Sequence, residues 1–501
     1  MQGAELTEEK KNNNNQAVDL TVGEPRKAIV KFTMPFLFGN VFQLFYSWTD
    51  AIVIGQNAPL QLGALSACMP VVNLLITVLM GFLAGAMVVL GQYFGKNDIK
   101  NLRLCYTTIL CVLMIIIVTL MIAGTLLSMP LLRLLNVSES QIGYANTYLV
   151  YYFLGIGFMG MYNCFAQVLR AMGNSKVPLY VLIVCVVLNI GLDILFVIPL
   201  EMDIAGVALG TMIAQALSSV ILFVYIQKKV SIIRLGRKDI KFDKRILRSI
   251  LRVALPSTIQ QACACIGFMY INALVNQKGN DYAVSTGTTD QGNVYTTAFG
   301  LGNRIDELMN MVMNSFGMAL TSFAAQNKGK GEIDRIKIGY KITLALTAAF
   351  MIGFGALILI FREQLIGVFM RLDGEVSNID IAKVKEITYV FLEIVVPFYI
   401  LMAIMVLTTS VLRGAGDAKT AMSVNLFSLI IRALSATILT ASFIVDPYWA
   451  AYGIFWASPI GWLAGAVWGI ARYSRGKWKG VNIFLEDGNE TGQSPQEGKN
   501  T

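Results

Sequence analysis

The sequence predicts an all-α integral membrane protein of about twelve spanning helices, arranged as two pseudo-symmetric six-helix lobes. Three observations lead there. Of its 501 residues 55% are hydrophobic and 14% charged, with a mean hydropathy of +0.62, well above that of a soluble domain. Charge-free runs such as YTTILCVLMIIIVTLMIAGTLL (106–127) and VPLYVLIVCVVLNIGLDILFVIPL (177–200) reach the ~20 residues needed to cross hydrocarbon. Loop motifs from the first half of the chain also return in the second.

Taken in order, the apolar runs place spans at roughly 28–55, 62–92, 104–127, 144–168, 177–199 and 204–227, then 250–275, 295–326, 339–361, 387–411, 420–445 and 449–472. They are helices because lipid offers the backbone no hydrogen-bonding partners, and an open sheet would leave groups unpaired. Residues 1–20 (with EEKKNNNNQ) and 476–501 are polar and are expected to be disordered tails, dispensable for transport. The start lacks the charged stub, short apolar core and cleavage site of a signal peptide. Most of the 40 Lys and Arg fall in the tails and in the loops on their side, so both termini are expected to face the cytoplasm. The basic block 229–249 is the longest loop on that side and divides the chain into 21–228 and 250–475. Basic loops facing lipid headgroups account for it and for the net charge of +9, without a nucleic-acid partner.

The halves repeat one another. QYFGKNDIKNLR (92–103) follows the second span and QNKGKGEIDRIK (326–337) the eighth; LRAMGNSKVP (169–178) follows the fourth and LRGAGDAKTA (412–421) the tenth. Pro35 and Pro256 take corresponding places early in the first and seventh spans. Six spans repeated in one orientation imply two bundles related by an axis along the membrane normal, the architecture of alternating access.

Acids within the spans favour a carrier over a pore. Counted from the span ends at ~1.5 Å per residue, Asp50, Asp193 and Thr211 lie roughly 7–11 Å below the same outer boundary. Asn189 sits one turn deeper than Asp193 on the same helix face. A carboxylate in hydrocarbon is disfavoured by at least ~2.5 kcal/mol, and no cationic side chain of that half is offered to it. A mobile ion would meet the charge. An oxygen cluster suits Na+, and two neighbouring carboxylates also suit H+, since one holds its proton to higher pH. Structural hydrogen bonding to the backbone is the plainer alternative.

These residues also carry a family resemblance. The paired LRAMGNSK and LRGAGDAK loops, NIGLDILF followed by GVALGTMIAQ, and the early KFTMPFLFGN and SWTDAIVIG resemble the MATE multidrug and toxic compound extrusion transporters of the MOP superfamily, in their prokaryotic DinF-like and MepA-like branch. The resemblance spans about residues 21–475. It implies two lobes around a central cavity and export of organic, often cationic, amphipathic small molecules in exchange for Na+ or H+. It also implies that Asp50, Asn189, Asp193 and Thr211 form the N-lobe cation site and that Pro35 is where the first helix bends; a static kink is the alternative for Pro35. A multi-pass protein of the bacterial inner (plasma) membrane, monomeric and without a cofactor, is what the resemblance implies.

The C-terminal half departs from its partner: the repeat sets Arg432 opposite Asn189 and Ala436 opposite Asp193, so the second copy of the site is absent. Asp306, Glu307 and Glu393 are the acids there. A structural ion pair of Arg432 with Asp306 or Glu307 is expected first, and a role in substrate binding second. The polar stretch 276–297 is read as a long outer loop of no assigned role. No histidine exists in the chain, no Gly-rich phosphate cradle ends in Gly-Lys-Ser/Thr, and the seven cysteines are scattered through spans. An enzyme is therefore not expected. Met309, Met311, Met313 and Met318 read first as helix packing and second as an adaptable pocket. A flippase for lipid-linked precursors is the alternative function. It needs basic residues facing the cavity, and Arg432 alone lies clearly within a span.

Overall fold

A computed structural model describes residues 19–57, 59–134, 137–236, 240–287, 293–372, 380–442 and 447–484, with some side chains, Asp50 among them, outside the described set. The first lobe comprises α1 (Pro25–Asn57), α2 (Pro59–Gly95), α3 (Ile99–Leu134), α4 (Glu139–Ala171), α5 (Lys176–Val197) and α6 (Asp203–Lys229). The second comprises α7 (Lys244–Thr286), α8 (Val294–Lys330), α9 (Ile333–Ile360), the short α10 (Arg362–Leu372), α11 (Ile381–Val395), α12 (Tyr399–Gly414), α13 (Ala418–Ser442) and α14 (Pro447–Ser474). Among the described residues ten segments are long and apolar enough to cross a membrane, α11 and α12 counting as one of them; α1 and α8 stand outside that set. Between α11 and α12 the chain tightens into a 3-10 turn over Val396–Phe398, where Pro397 withholds a helical donor.

The helices are inside out relative to a soluble protein. On α5, Val184, Val187 and Leu195 are exposed, whereas Asn189 and Asp193 are fully buried. An apolar exterior suits lipid, and the polar groups turn inward where partners exist.

The repeated loop motifs fold identically. Gly173 (φ 81°) and Gly416 (φ 94°) take the left-handed conformation that ends α4 and α12. The amides of Gly173 and Asn174 donate to the Arg170 and Leu169 carbonyls, and those of Gly416 and Asp417 to Arg413 and Leu412. Asn174 and Asp417 then cap the next helix by accepting from Val177 and Thr420 amides. Likewise Asn97 and Gly331 are both left-handed, after α2 and α8, and the next amides, Asp98 and Glu332, donate to Tyr93 and Asn327.

Those turns close the seam between the lobes on the side of the 230–243 linker. Gln92 of α2 donates to the Gly414 carbonyl at 3.0 Å, and its repeat partner Gln326 of α8 donates to Ala171 at 2.8 Å. A Cβ at Gly95 would stand 1.9 Å from the Gln326 carbonyl oxygen, and one at Gly329 2.0 Å from that of Gln92, so only glycine allows this approach. Farther along the seam α2 packs on α7, where Gly85 meets the Ala254 backbone.

Three sequence expectations change. The stretch 276–297 is mostly helix: α7 runs on to Thr286, and Asn293 caps α8 while donating to Asn276 and Asn280. The tails are not wholly loose. Leu20 is buried, its amide donating to Gln326 Oε1. After α14, Trp478 and Ile483 are buried and Phe484 lies 4.5 Å from Tyr93, so residues 477–484 strap the seam; apolar side chains in a polar stretch explain the docking. The linker is also pinned, with Arg103 donating to the Ile232 carbonyl and Thr107 to that of Lys241.

Candidate functional site

α5 and α6 cross closely in the first lobe. Asn189 and Asp193, one turn apart on α5, face Thr211 on α6. The Asn189 amide donates to Asp193 Oδ1 at 3.2 Å and reaches Thr211 Oγ1 at 3.5 Å. Gly210 makes the approach possible, because a Cβ there would lie 2.5 Å from Asp193 Oδ1. Asn189 Oδ1 is buried with no hydrogen-bond partner among the described residues. With the amide nitrogen committed to Asp193 and Thr211, this oxygen is left as an acceptor without a donor, an arrangement a cation relieves. The structure thus brings together three of the four expected ligands. The fourth, Asp50, belongs to α1, which packs on α5, but its side chain lies outside the described residues. Pro35 lies within the continuous helix α1.

Of the C-lobe acids only Asp306 lies within electrostatic reach of Arg432, without an ion-pair contact. Glu393 is partly exposed and paired with Arg362, and Glu307 is exposed. Asp306 accepts from Asn310 at 2.8 Å. Among the described residues Arg432 forms no ion pair with either Asp306 or Glu307.

One cavity reaches the site, and a second shares lining residues such as Tyr162 with it. One of about 280 Å³ lies inside the first lobe, reaches Thr211, and is lined by Tyr148, Tyr151, Tyr152 and Tyr162 with Met69 and Met159. The other, about 510 Å³, lies between the lobes, where Asn40, Tyr162 and Arg170 face Asn310, Arg413 and Arg432. Arg170 and Arg413 are repeat partners at the ends of α4 and α12, one residue before the carbonyls that receive the Gln326 and Gln92 bonds. Their assignment to loops is corrected: both helices extend beyond the apolar run, so three arginines, not Arg432 alone, face this cavity. The signal that locates them is the register of the repeated LRxxG motif. Of the methionines singled out on α8, Met318 lines this cavity, while Met309 and Met313 are core.

The MatE family model matches residues 35–195 and 256–438. The probable multidrug resistance protein YpnP of Bacillus subtilis is 28% identical over 473 residues, covering 94% of this chain and all of that one. The FAD transporter of Shewanella oneidensis is 23% identical over 332 residues, covering 65% of this chain and 70% of its own. A solved structure of the outward-facing conformation of a multidrug resistance MATE family transporter of the MOP superfamily superposes with a TM-score of 0.82. It covers 92% of this chain and 98% of that one at 21% identity, a likeness of fold.

Proposed function

The chain belongs to the MatE family, and from that premise we propose that it is a secondary antiporter that exports small organic molecules in exchange for Na+ or H+. The observation that carries the coupling role is the Asn189–Asp193–Thr211 cluster, in which the buried Asn189 Oδ1 has no donor among the described residues. Substrate occupies the inter-lobe cavity and the ion the N-lobe cluster, completed by Asp50. Coupling requires only that the ion bind the two arrangements of the lobes with different affinity. The seam bonds of Gln92 and Gln326 hold one such arrangement. Pro35 leaves a gap in the hydrogen bonding of α1, which gives that helix a place to bend as the site fills. The protein works as a monomer in the bacterial plasma membrane with both termini in the cytoplasm, and the linker side is the cytoplasmic side.

The names of the relatives pull the substrate two ways, toward drugs for YpnP and toward a phosphorylated dinucleotide for the FAD transporter. The fold carries either. The antiport is tested by efflux of a fluorescent organic substrate from vesicles under separately imposed Na+ and H+ gradients, comparing wild type with Asp50→Asn and Asp193→Asn. One gradient drives efflux in the wild type and both variants lose the response. Equal gradient-driven efflux in all three proteins removes the proposed role.

A further inference from the structure

We infer that the inter-lobe cavity is a site for an amphipathic organic anion, bound through a phosphate or carboxylate by Arg170, Arg413 and Arg432. The inference rests on the exporter reading only for the cavity's role as the substrate chamber. Three guanidinium groups line this cavity, and among the described residues no Asp or Glu does. The Nε atom of each is buried without a hydrogen-bond partner. Arg170 lies 4.4 Å from the Phe36 ring and Arg413 donates to Gln260 Oε1 at 3.1 Å, both neutral partners, whereas Arg432 is within electrostatic reach of Asp306. Asp306 accepts from Asn310, stands outside the lining of the cavity and makes no ion-pair contact with Arg432. Guanidinium groups with Nε donors to spare around a cavity of this size are what a phosphate or carboxylate engages. The remaining lining suits the rest of such a molecule: Asn40, Gln261 and Asn314 for polar groups, Met402 and Trp462 for an apolar body. The cavity also has the two-fold character of the repeat, Arg170 and Arg413 meeting the ligand from opposite lobes.

A structural role is the competing account. Arg170 and Arg413 stand in the last turns of their helices, where a cation favours the exposed carbonyls. Arg432 lies within α13, away from a helix end, and its competing role is as counter-charge to Asp306.

The test is equilibrium binding to the purified full-length protein in detergent, with no gradient. Three probes share one ring system: 1-naphthyl phosphate, 1-naphthol and 1-naphthylmethylammonium. The phosphate is expected to bind at least about tenfold tighter than the other two, and Arg432→Gln to weaken it by roughly tenfold or more, as for a lost charge-assisted bond. Arg432→Lys, which keeps the charge but not the fork, falls between. Competition by inorganic phosphate marks a water-soluble source, and stronger competition by dioctanoyl phosphatidate marks a lipid headgroup; either supports the anion site. Preference for the ammonium probe overturns the inference, as does unchanged phosphate affinity in folded Arg170→Gln, Arg413→Gln and Arg432→Gln proteins. Anion binding without gradient-driven efflux would instead count against the exporter reading alone.

Discussion

Replacing Gly210 by alanine tests the N-lobe site without touching any proposed ligand. The added Cβ would stand 2.5 Å from Asp193 Oδ1, about 0.9 Å inside ordinary van der Waals contact. Relief by backing away is hindered on the α5 side, since Leu192 Cβ is 3.3 Å and the Asp193 amide nitrogen 3.5 Å from the same point. The carboxylate must therefore rotate, breaking the Asn189 bond, or the helices must part. Overpacking of this kind costs about 1–3 kcal/mol, and where the strain falls on the ion-binding geometry it weakens cation affinity by roughly 5- to 150-fold. The assay is the Na+ or H+ concentration giving half-maximal driven efflux from vesicles. Gly191→Ala is the control, because its Cβ would enter open space on α5, the helix that carries Asn189 and Asp193. Half-saturation shifted by Gly210→Ala and not by Gly191→Ala is expected. A folded Gly210→Ala protein with wild-type half-saturation refutes the reasoning.

Other predictions follow from the seam and the surface. Gln326→Ala removes a donor to the buried Ala171 carbonyl and an acceptor for the Leu20 amide, about 1–3 kcal/mol for each group left unpaired. Amide exchange over 92–103 and 326–337 should accelerate as the seam opens, and unchanged protection contradicts the latch. Ile483→Ala removes a buried side chain from the C-terminal strap and should destabilise the protein by roughly 2–4 kcal/mol, seen as a lower Tm in detergent. A neutral outcome would restore the view of this segment as a loose tail. Glu393→Gln breaks a partly exposed pair with Arg362 and should cost under about 1 kcal/mol and leave efflux unchanged.

Much of this molecule was legible before its coordinates. Lipid forces long apolar helices, so the spans appeared as composition alone, and the repeated motifs marked turns that share one hydrogen-bonding pattern, because left-handed Gly173 and Gly416 need the same residue for the same reason. Asn189 and Asp193 were legible as a pair through helical spacing; Thr211 needed only a depth estimate. What stayed hidden was tertiary. Arg170 and Arg413 sit where hydropathy ends, yet α4 and α12 continue a turn beyond the apolar run and aim them into the cavity. The 276–286 stretch reads as loop by polarity, but helix α7 continues through it. The docking of Leu20 on Gln326, 306 positions away, and of Ile483 beside Gly416 depends on contacts distant in sequence, which local pattern does not encode.

Reciprocal coupling offers the most direct test of the antiport. Vesicles loaded with substrate, with no ion gradient at the outset, should draw Na+ or H+ inward as substrate leaves, because the coupling of two ligands through one protein runs both ways. The account predicts ion uptake that follows substrate release in the wild type and vanishes in Asp193→Asn. Substrate efflux that moves no ion, or ion movement of equal size in Asp193→Asn, contradicts it.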